Sequence, residues 1–296
     1  MTYSIIGRDP AGGEIGIAVQ SRWFNAGQNV AWIEPGVGAV CTQAIVEPAY
    51  GQRGLELLRS GRTPEQALAT LASEDPGRDV RQVAIADLAG RFAQHTGRAC
   101  VAAAGHASRA DCCAQGNMLA SERCWDAMVD AFEGTVAALA DRLLVALDAA
   151  EREGGDARGR QAARLLVCRA ESTGPPWQDR IFDLQVVDHS EPLFELRRLV
   201  TVKRAYDHLG RAFDLAGRDA AAAAEEADAA YELAPADDQI GFWRATLLAG
   251  AGRLEEAVAA FGEAVGARAG WPEYLRNCVA AGLVPQEAQA LADMLV

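Results

Sequence analysis

Residues 2–21 read TYSIIGRDPAGGEIGIAVQS. Two apolar runs, SIIGRD (4–9) and EIGIAVQS (14–21), flank PAGG (10–13). Proline and paired glycines between two such runs signal a β-hairpin. Tyr3, Ile5 and Ile6 make the chain apolar almost from its first residue. Termini are poorly ordered unless a sheet ties them down, so either an edge strand starts early or residue 2 is itself a working part. On a strand, alternate side chains share a face, which places Thr2 and Ser4 together and opposite Tyr3 and Ile5.

Working outward, NVAWI (29–33) and PGVGAVCTQA (35–44) continue the β pattern, and the period then changes. YGQRGLELLRSG (50–61) and TPEQALATLASED (63–75) predict two short helices, the second with Thr63 as N-cap, Pro64 at the first helical position and Glu65 in the first turn. VRQVAIADLAGRFAQHTG (80–97) predicts a second hairpin turning near Asp87–Gly90. CVAAAGHA and CCAQGNML follow as strand material, then helices over 122–133 and 135–152. The loop GGDARGRQ (154–161) precedes two further strands, AARLLVCRA and DRIFDLQVVDH. Antiparallel pairs joined by tight turns, with segregated helices, predict an α+β layered domain rather than βαβ alternation.

After His189 the pattern is helical to the end. Ala223, Ala227 and Ala230 recur 34 residues later as Ala257, Phe261 and Ala264, and Leu209 as Trp243. A 34-residue period with that packing resembles the tetratricopeptide repeat, although Ala227 stands where a large aromatic is usual. The expected division is 1–198 for the α+β domain and 199–296 for the helical one.

The net charge of −13 argues against nucleic acid or an anionic membrane surface as partner. No membrane-length apolar stretch and no signal-peptide pattern is present, so a soluble cytoplasmic protein is expected. Seven cysteines without a CxxC pair and four scattered histidines predict no metal site. The absence of a P-loop or dinucleotide fingerprint predicts no organic cofactor.

The stretches TYSIIGRDPAGGEIGIAVQS, EPGVGAVCTQA, YGQRGLELLRSG, DPGRDVRQVAIADLAGR, TGRAC, QGNML, GGDARGRQAARLLV and VVDHSEPLFELRRL are, in that order, similar to the bacterial family DUF1028. That family is uncharacterised and is grouped with the N-terminal nucleophile (Ntn) hydrolases. The resemblance implies a four-layer αββα sandwich over about the first two-thirds of the chain. It also implies Thr2 as a nucleophile cleaving a small amide or peptide-like bond after Met1 is removed. A free α-amine beside the Thr2 hydroxyl would be its base. Lys203, the only lysine, falls in the helical part, so a proteasome-like lysine partner is not expected.

Asn117 and Gln115, around Gly116, supply amide donors of the kind used in oxyanion holes, although a turn stabilised by Asn117 is the simpler reading. Arg158 could clamp a substrate carboxylate, or Asp156 and Arg158 could only pin their loop. Thr42 and Gln43 could line the same cleft as Ser4. Ser21 is a weak alternative nucleophile, and His95 is the one histidine considered for acid–base work. The competing function is a non-catalytic binding or scaffold protein, with the helical repeats holding a protein partner or a second copy in a homo-oligomer.

Overall fold

The computed structural model describes residues 2–284 and 288–294. The chain divides into two compact units, 1–197 and 198–296.

In chain order the first unit contains β1 (Thr2–Asp9), β2 (Glu14–Ser21), α1 (Gly27–Val30), β3 (Ala31–Glu34), β4 (Gly38–Ala44), α2 (Ala49–Arg59), α3 (Pro64–Glu74), β5 (Arg81–Asp87), β6 (Phe92–Thr96), β7 (Gly105–Ser108), β8 (Cys112–Asn117), α4 (Cys124–Glu133), α5 (Leu139–Arg152), β9 (Ala162–Arg169) and β10 (Arg180–Val186). A six-stranded sheet has the order β10-β9-β2-β1-β8-β7 and a four-stranded sheet the order β3-β4-β5-β6. Every strand pair is antiparallel. β1 is therefore a central strand, paired on both sides, not an edge.

The β1–β2 turn is built as its residues dictate. The Asp9 carboxylate accepts the Ala11 and Gly12 amides (3.1 and 3.0 Å), and Gly13 takes φ +65°. Alternation then sorts β1. Ile6 joins Ile15, Ile17, Ala39, Cys41 and Ala84 in an apolar layer between the two sheets. Gly7 faces the helices so closely that a Cβ there would lie 2.5 Å from the Phe132 ring. The Tyr3 hydroxyl donates to Glu151 of α5, and burial together with that carboxylate holds the phenol well above its ordinary pKa. Helices α2 and α3 cover the outer face of the small sheet through Val40, Tyr50, Leu55, Leu71 and Ile85. The layer order is thus helix, sheet, sheet, helix, in a mixed α+β unit.

Helix α3 begins with a reciprocal capping box. The Gln66 amide donates to Thr63 Oγ1, and the Thr63 amide donates to Gln66 Oε1. Thr63→Ala removes one side of it and is expected to lower stability by about 1 kcal/mol. A urea midpoint unchanged from wild type would refute this.

The second unit is helical. Helix α6 (Pro192–Ala216) is followed by α7 (Ala220–Leu233), α8 (Asp238–Gly250), α9 (Leu254–Ala267), α10 (Trp271–Ala280) and α11 (Gln289–Met294). Helices α7 and α9 are both 14 residues long and are offset by 34 residues at each end, the period read from the sequence. Ala223, Ala227 and Ala230 are buried on α7, as are Ala257, Phe261 and Ala264 on α9. Where Ala227 replaces the aromatic of the later repeat, Tyr206, Tyr231 and Trp243 pack on its cluster instead. Among the described residues, no helix is long and apolar enough to cross a membrane.

Candidate functional site

The apolar layer between the sheets gives way at one end to a polar one. Thr2, Ser4, Ser21, Gln43, Gln82, Gln115 and Asn117 are all buried. Strand register explains their convergence. β1 pairs with β8 so that Thr2 lies opposite Asn117 and Ser4 opposite Gln115. β4 pairs with β5 so that Gln43 lies opposite Gln82. Buried amides must be hydrogen-bonded or they cost several kcal/mol, and most here are satisfied by one another.

The centre of the network is the backbone of Thr2. Its carbonyl accepts from Gln43 Nε2 (2.9 Å) and Asn117 Nδ2 (3.3 Å). Both amides also donate to Gln82 Oε1, at 2.7 and 3.0 Å. Gln82 Nε2 reaches the Gly116 carbonyl (2.8 Å), the Gly105 carbonyl (3.1 Å) and Thr96 Oγ1 (2.9 Å). Ser4 Oγ donates to Gln43 Oε1 (2.7 Å), which orients that amide towards Thr2. The Thr2 hydroxyl lies 3.0 Å from Ser21 Oγ.

Thr2 is 6% exposed, and its exposed edge lines a cavity of about 340 Å³. Trp23, Val30, Ile45, Val46 and Met118 supply most of its apolar wall, and Arg158 stands among them. Two non-glycine residues with left-handed backbones line it, Ala44 (φ 70°) and Met118 (φ 53°). For residues such as Ala and Met this conformation costs roughly 1–2 kcal/mol each. Ala44 and Met118 directly follow Gln43 and Asn117, the residues whose side chains hold the Thr2 carbonyl. The strain therefore sits where two strands turn away from Thr2 and open the cavity.

Arg158 is positioned by Asp156. The Asp156 carboxylate accepts the Arg22 amide (2.8 Å) and the Arg158 amide (2.9 Å), and it meets the guanidinium at 3.3 and 3.4 Å. An antiparallel bridge from Asp156 to Leu119 fixes the loop to the end of β8.

Thr2, Ser4, Ser21, Gln43, Asn117, Asp156 and Arg158 are therefore placed in one region. Asn117 and Gln43 spend their donor hydrogens on Thr2 and Gln82, which makes them positioning groups for Thr2. Gln115 lies deeper, donating to the Cys41 carbonyl (3.4 Å). Thr42 and His95 do not join the site. Alternation turns Thr42 to the opposite face of β4, where its hydroxyl donates to the Glu47 carbonyl (3.2 Å). His95 lies opposite Val83, on the outer face of the small sheet, and its Nε2 meets the Arg78 carbonyl (2.8 Å). Lys203 belongs to the second unit and pairs with Asp207. The expected removal of Met1 concerns a residue outside the described ones.

Gln82 was not anticipated from the sequence. Its signal is a lone glutamine directly before the apolar run Val83–Ala86 of one strand.

The cysteines offer no second nucleophile here. Burial pushes the Cys41 and Cys112 thiols up to about 12. At pH 8 about one in ten thousand of such thiols is ionised. Alkylation of the native protein at pH 8 is therefore expected to spare Cys41 and Cys112, and to reach both once the protein is unfolded. Rapid native labelling at either would contradict the burial described.

Residues 2–196 match DUF1028, a family of unknown function. The crystal structure of protein SPO2555 from Silicibacter pomeroyi, a DUF1028 protein, is similar at 32% identity and a TM-score of 0.61. The similarity covers 67% of this chain and 87% of that one. No curated protein is significantly similar to the chain. The match spans the whole sandwich that carries the polar layer and its cavity, and the chain belongs to the DUF1028 family.

Proposed function

We propose that the protein is an amidohydrolase of the N-terminal nucleophile type, with Thr2 as nucleophile once Met1 is removed. The observation that carries this reading is the treatment of Thr2. Its carbonyl is clamped by two buried amides, and its side chain borders a cavity whose wall includes the strained backbones of Ala44 and Met118. A strand residue with only a structural role does not require that arrangement.

The chemistry follows from the groups at residue 2. A free α-amine has a pKa near 8, so roughly a quarter of it is neutral at cellular pH. It accepts the hydroxyl proton as Thr2 Oγ1 attacks the amide carbon. The proton passes to the leaving nitrogen, the C–N bond breaks, and an ester to Thr2 remains. Water, deprotonated by the same amine, then releases the acid. Gln43 and Asn117 hold the nucleophile still, and Ser21 fixes the direction of its hydroxyl.

Two measurements test the reading. Intact mass must show a chain beginning at Thr2, and a panel of small amides must be turned over by wild type but not by Thr2→Ala. Retained Met1 in active protein would exclude the free-amine mechanism.

A binding role has separate support in the second unit. An apolar cavity of about 450 Å³ is lined by Phe213, Ala220, Trp243, Leu247 and Leu283 among others, a volume within the range of small-molecule sites.

A further inference from the structure

Large apolar side chains at the mouth of the Thr2 cavity stand out in water. Trp23 is 66% exposed, Ile45 57% and Val46 37%, and all three line the cavity together with Val30 and Met118. Apolar groups gathered on one exposed rim mark a place where apolar matter docks.

The backbone gives this rim no way to retreat. Strand β4 ends at Ala44, whose left-handed conformation (φ 70°) reverses the chain just before Ile45. The Ile45 amide donates to the Val80 carbonyl (3.2 Å), and the Ile45 carbonyl accepts from Arg81 Nη1 (2.7 Å). Arg81 is itself held by the Asp75 carboxylate (2.9 Å). Trp23 is tied on both sides as well. The Arg22 amide before it donates to Asp156 (2.8 Å), its own carbonyl accepts the Ala26 amide (3.3 Å), and the Asn25 amide donates to the Val187 carbonyl (3.0 Å). On a loose loop such side chains would fold back against the protein. Pinned in place they form a preorganised surface, which spares a ligand the cost of ordering it.

Polar recognition in the same lining is limited. Gln43 spends its amide hydrogens on the Thr2 carbonyl and Gln82, and its oxygen accepts from Ser4. Arg158 is held by Asp156, and Asn29 is exposed to water. Size sets the other limit. A methylene fills about the space of one water in the liquid, ~30 Å³, so a cavity of about 340 Å³ holds on the order of ten heavy atoms. That is room for an amide group and an aliphatic arm of about six carbons.

We propose that the site takes small uncharged amides carrying one aliphatic arm of that length, with the arm lying along Trp23, Ile45 and Val46. The assignment rests on the reading of Thr2 as nucleophile for its reaction, and on the rim alone for its selectivity. The reaction is hydrolysis: a primary amide and water give the carboxylic acid and ammonia.

The test measures binding of acetamide, butyramide and hexanamide to Thr2→Ala by ligand-observed NMR, and ammonia release from the same amides by wild type. Affinity is expected to rise about threefold with each added methylene. Adipamide, which has the same six carbons but a polar far end, should bind at least about tenfold more weakly than hexanamide. Adding Trp23→Ala or Ile45→Ser to Thr2→Ala should flatten the series, and either variant serves if the other does not fold. A flat series, binding of none of the amides, adipamide equal to hexanamide, or a slope that survives both substitutions overturns the proposal. A flat series in a protein whose self-association is lost in Trp23→Ala would assign the rim to a second copy of the chain instead. A graded series without hydrolysis would sink the nucleophile and leave the apolar subsite standing. Thr2-dependent hydrolysis with a flat series would do the reverse.

Discussion

Thr2→Ala is expected to reduce amide turnover by at least about 10³-fold while leaving the protein folded. The size follows from the role. With Oγ1 gone no acyl-enzyme forms, and what survives is the binding and polarisation of substrate, as when any covalent nucleophile is removed. The structural cost is small by comparison. The substitution deletes the hydroxyl's contact to Ser21 at 3.0 Å, and a hydrogen bond of that kind is worth about 1 kcal/mol. The clamp from Gln43 and Asn117 acts on the backbone carbonyl and is untouched. Thr2→Ser keeps the nucleophile and is expected to retain activity within about tenfold, because only a methyl group that restricts the hydroxyl rotamer is lost. Initial rates across the panel, with melting temperatures as a control, check both. Equal rates for wild type and Thr2→Ala would remove Thr2 from the chemistry.

The parts of the fold that were legible in the sequence are those in which local chemistry and long-range packing agree. PAGG makes a hairpin because Asp9 and Gly13 solve the turn locally. Thr63, Pro64 and Gln66 start a helix without help from elsewhere. The 34-residue period survives translation because α7 and α9 bury the same phase of the repeat. The placement of Thr2 and Ser4 on one face needed only the two-residue period of a strand.

The site was legible only in part, and the reason is that both faces of the small sheet are buried. On β4, Val40 and Thr42 face one layer while Cys41 and Gln43 face the other. Nothing local says which of two neighbouring polar residues looks towards Thr2, so Thr42 was expected beside Gln43. The same ambiguity affects His95 and Thr96, of which only Thr96 meets the network. The cavity wall comes from segments distant in sequence, including Trp23, Ile45 and Met118. No spacing rule connects residues that meet only after two sheets stack.

Gln82 is where the stack is most sensitive, and Gln82→Leu is expected to destabilise the first unit by about 3–5 kcal/mol. Leucine fills similar space but removes the acceptor shared by Gln43 and Asn117. It also strips the donor from the Gly105 and Gly116 carbonyls and from Thr96. For a unit of this size the melting temperature should fall by on the order of 10 °C. Gln82→Glu separates hydrogen bonding from volume. A carboxylate keeps the acceptor oxygen but turns an anion towards two backbone carbonyls in a fully buried position, so burial raises its pKa in the folded state. An acid whose folded pKa lies above its unfolded value stabilises most when both states are protonated, below about pH 4.3. Its contribution is lost as pH rises towards the folded pKa, by about 1.4 kcal/mol per pH unit. The stability deficit of Gln82→Glu relative to wild type should therefore shrink as pH is lowered from 7 to 5, whereas that of Gln82→Leu should not change. Denaturant midpoints at the two pH values decide the matter. A pH-independent deficit for Gln82→Glu would mean that water reaches residue 82, and that the clamp on Thr2 is not the sealed layer the hydrogen bonds describe.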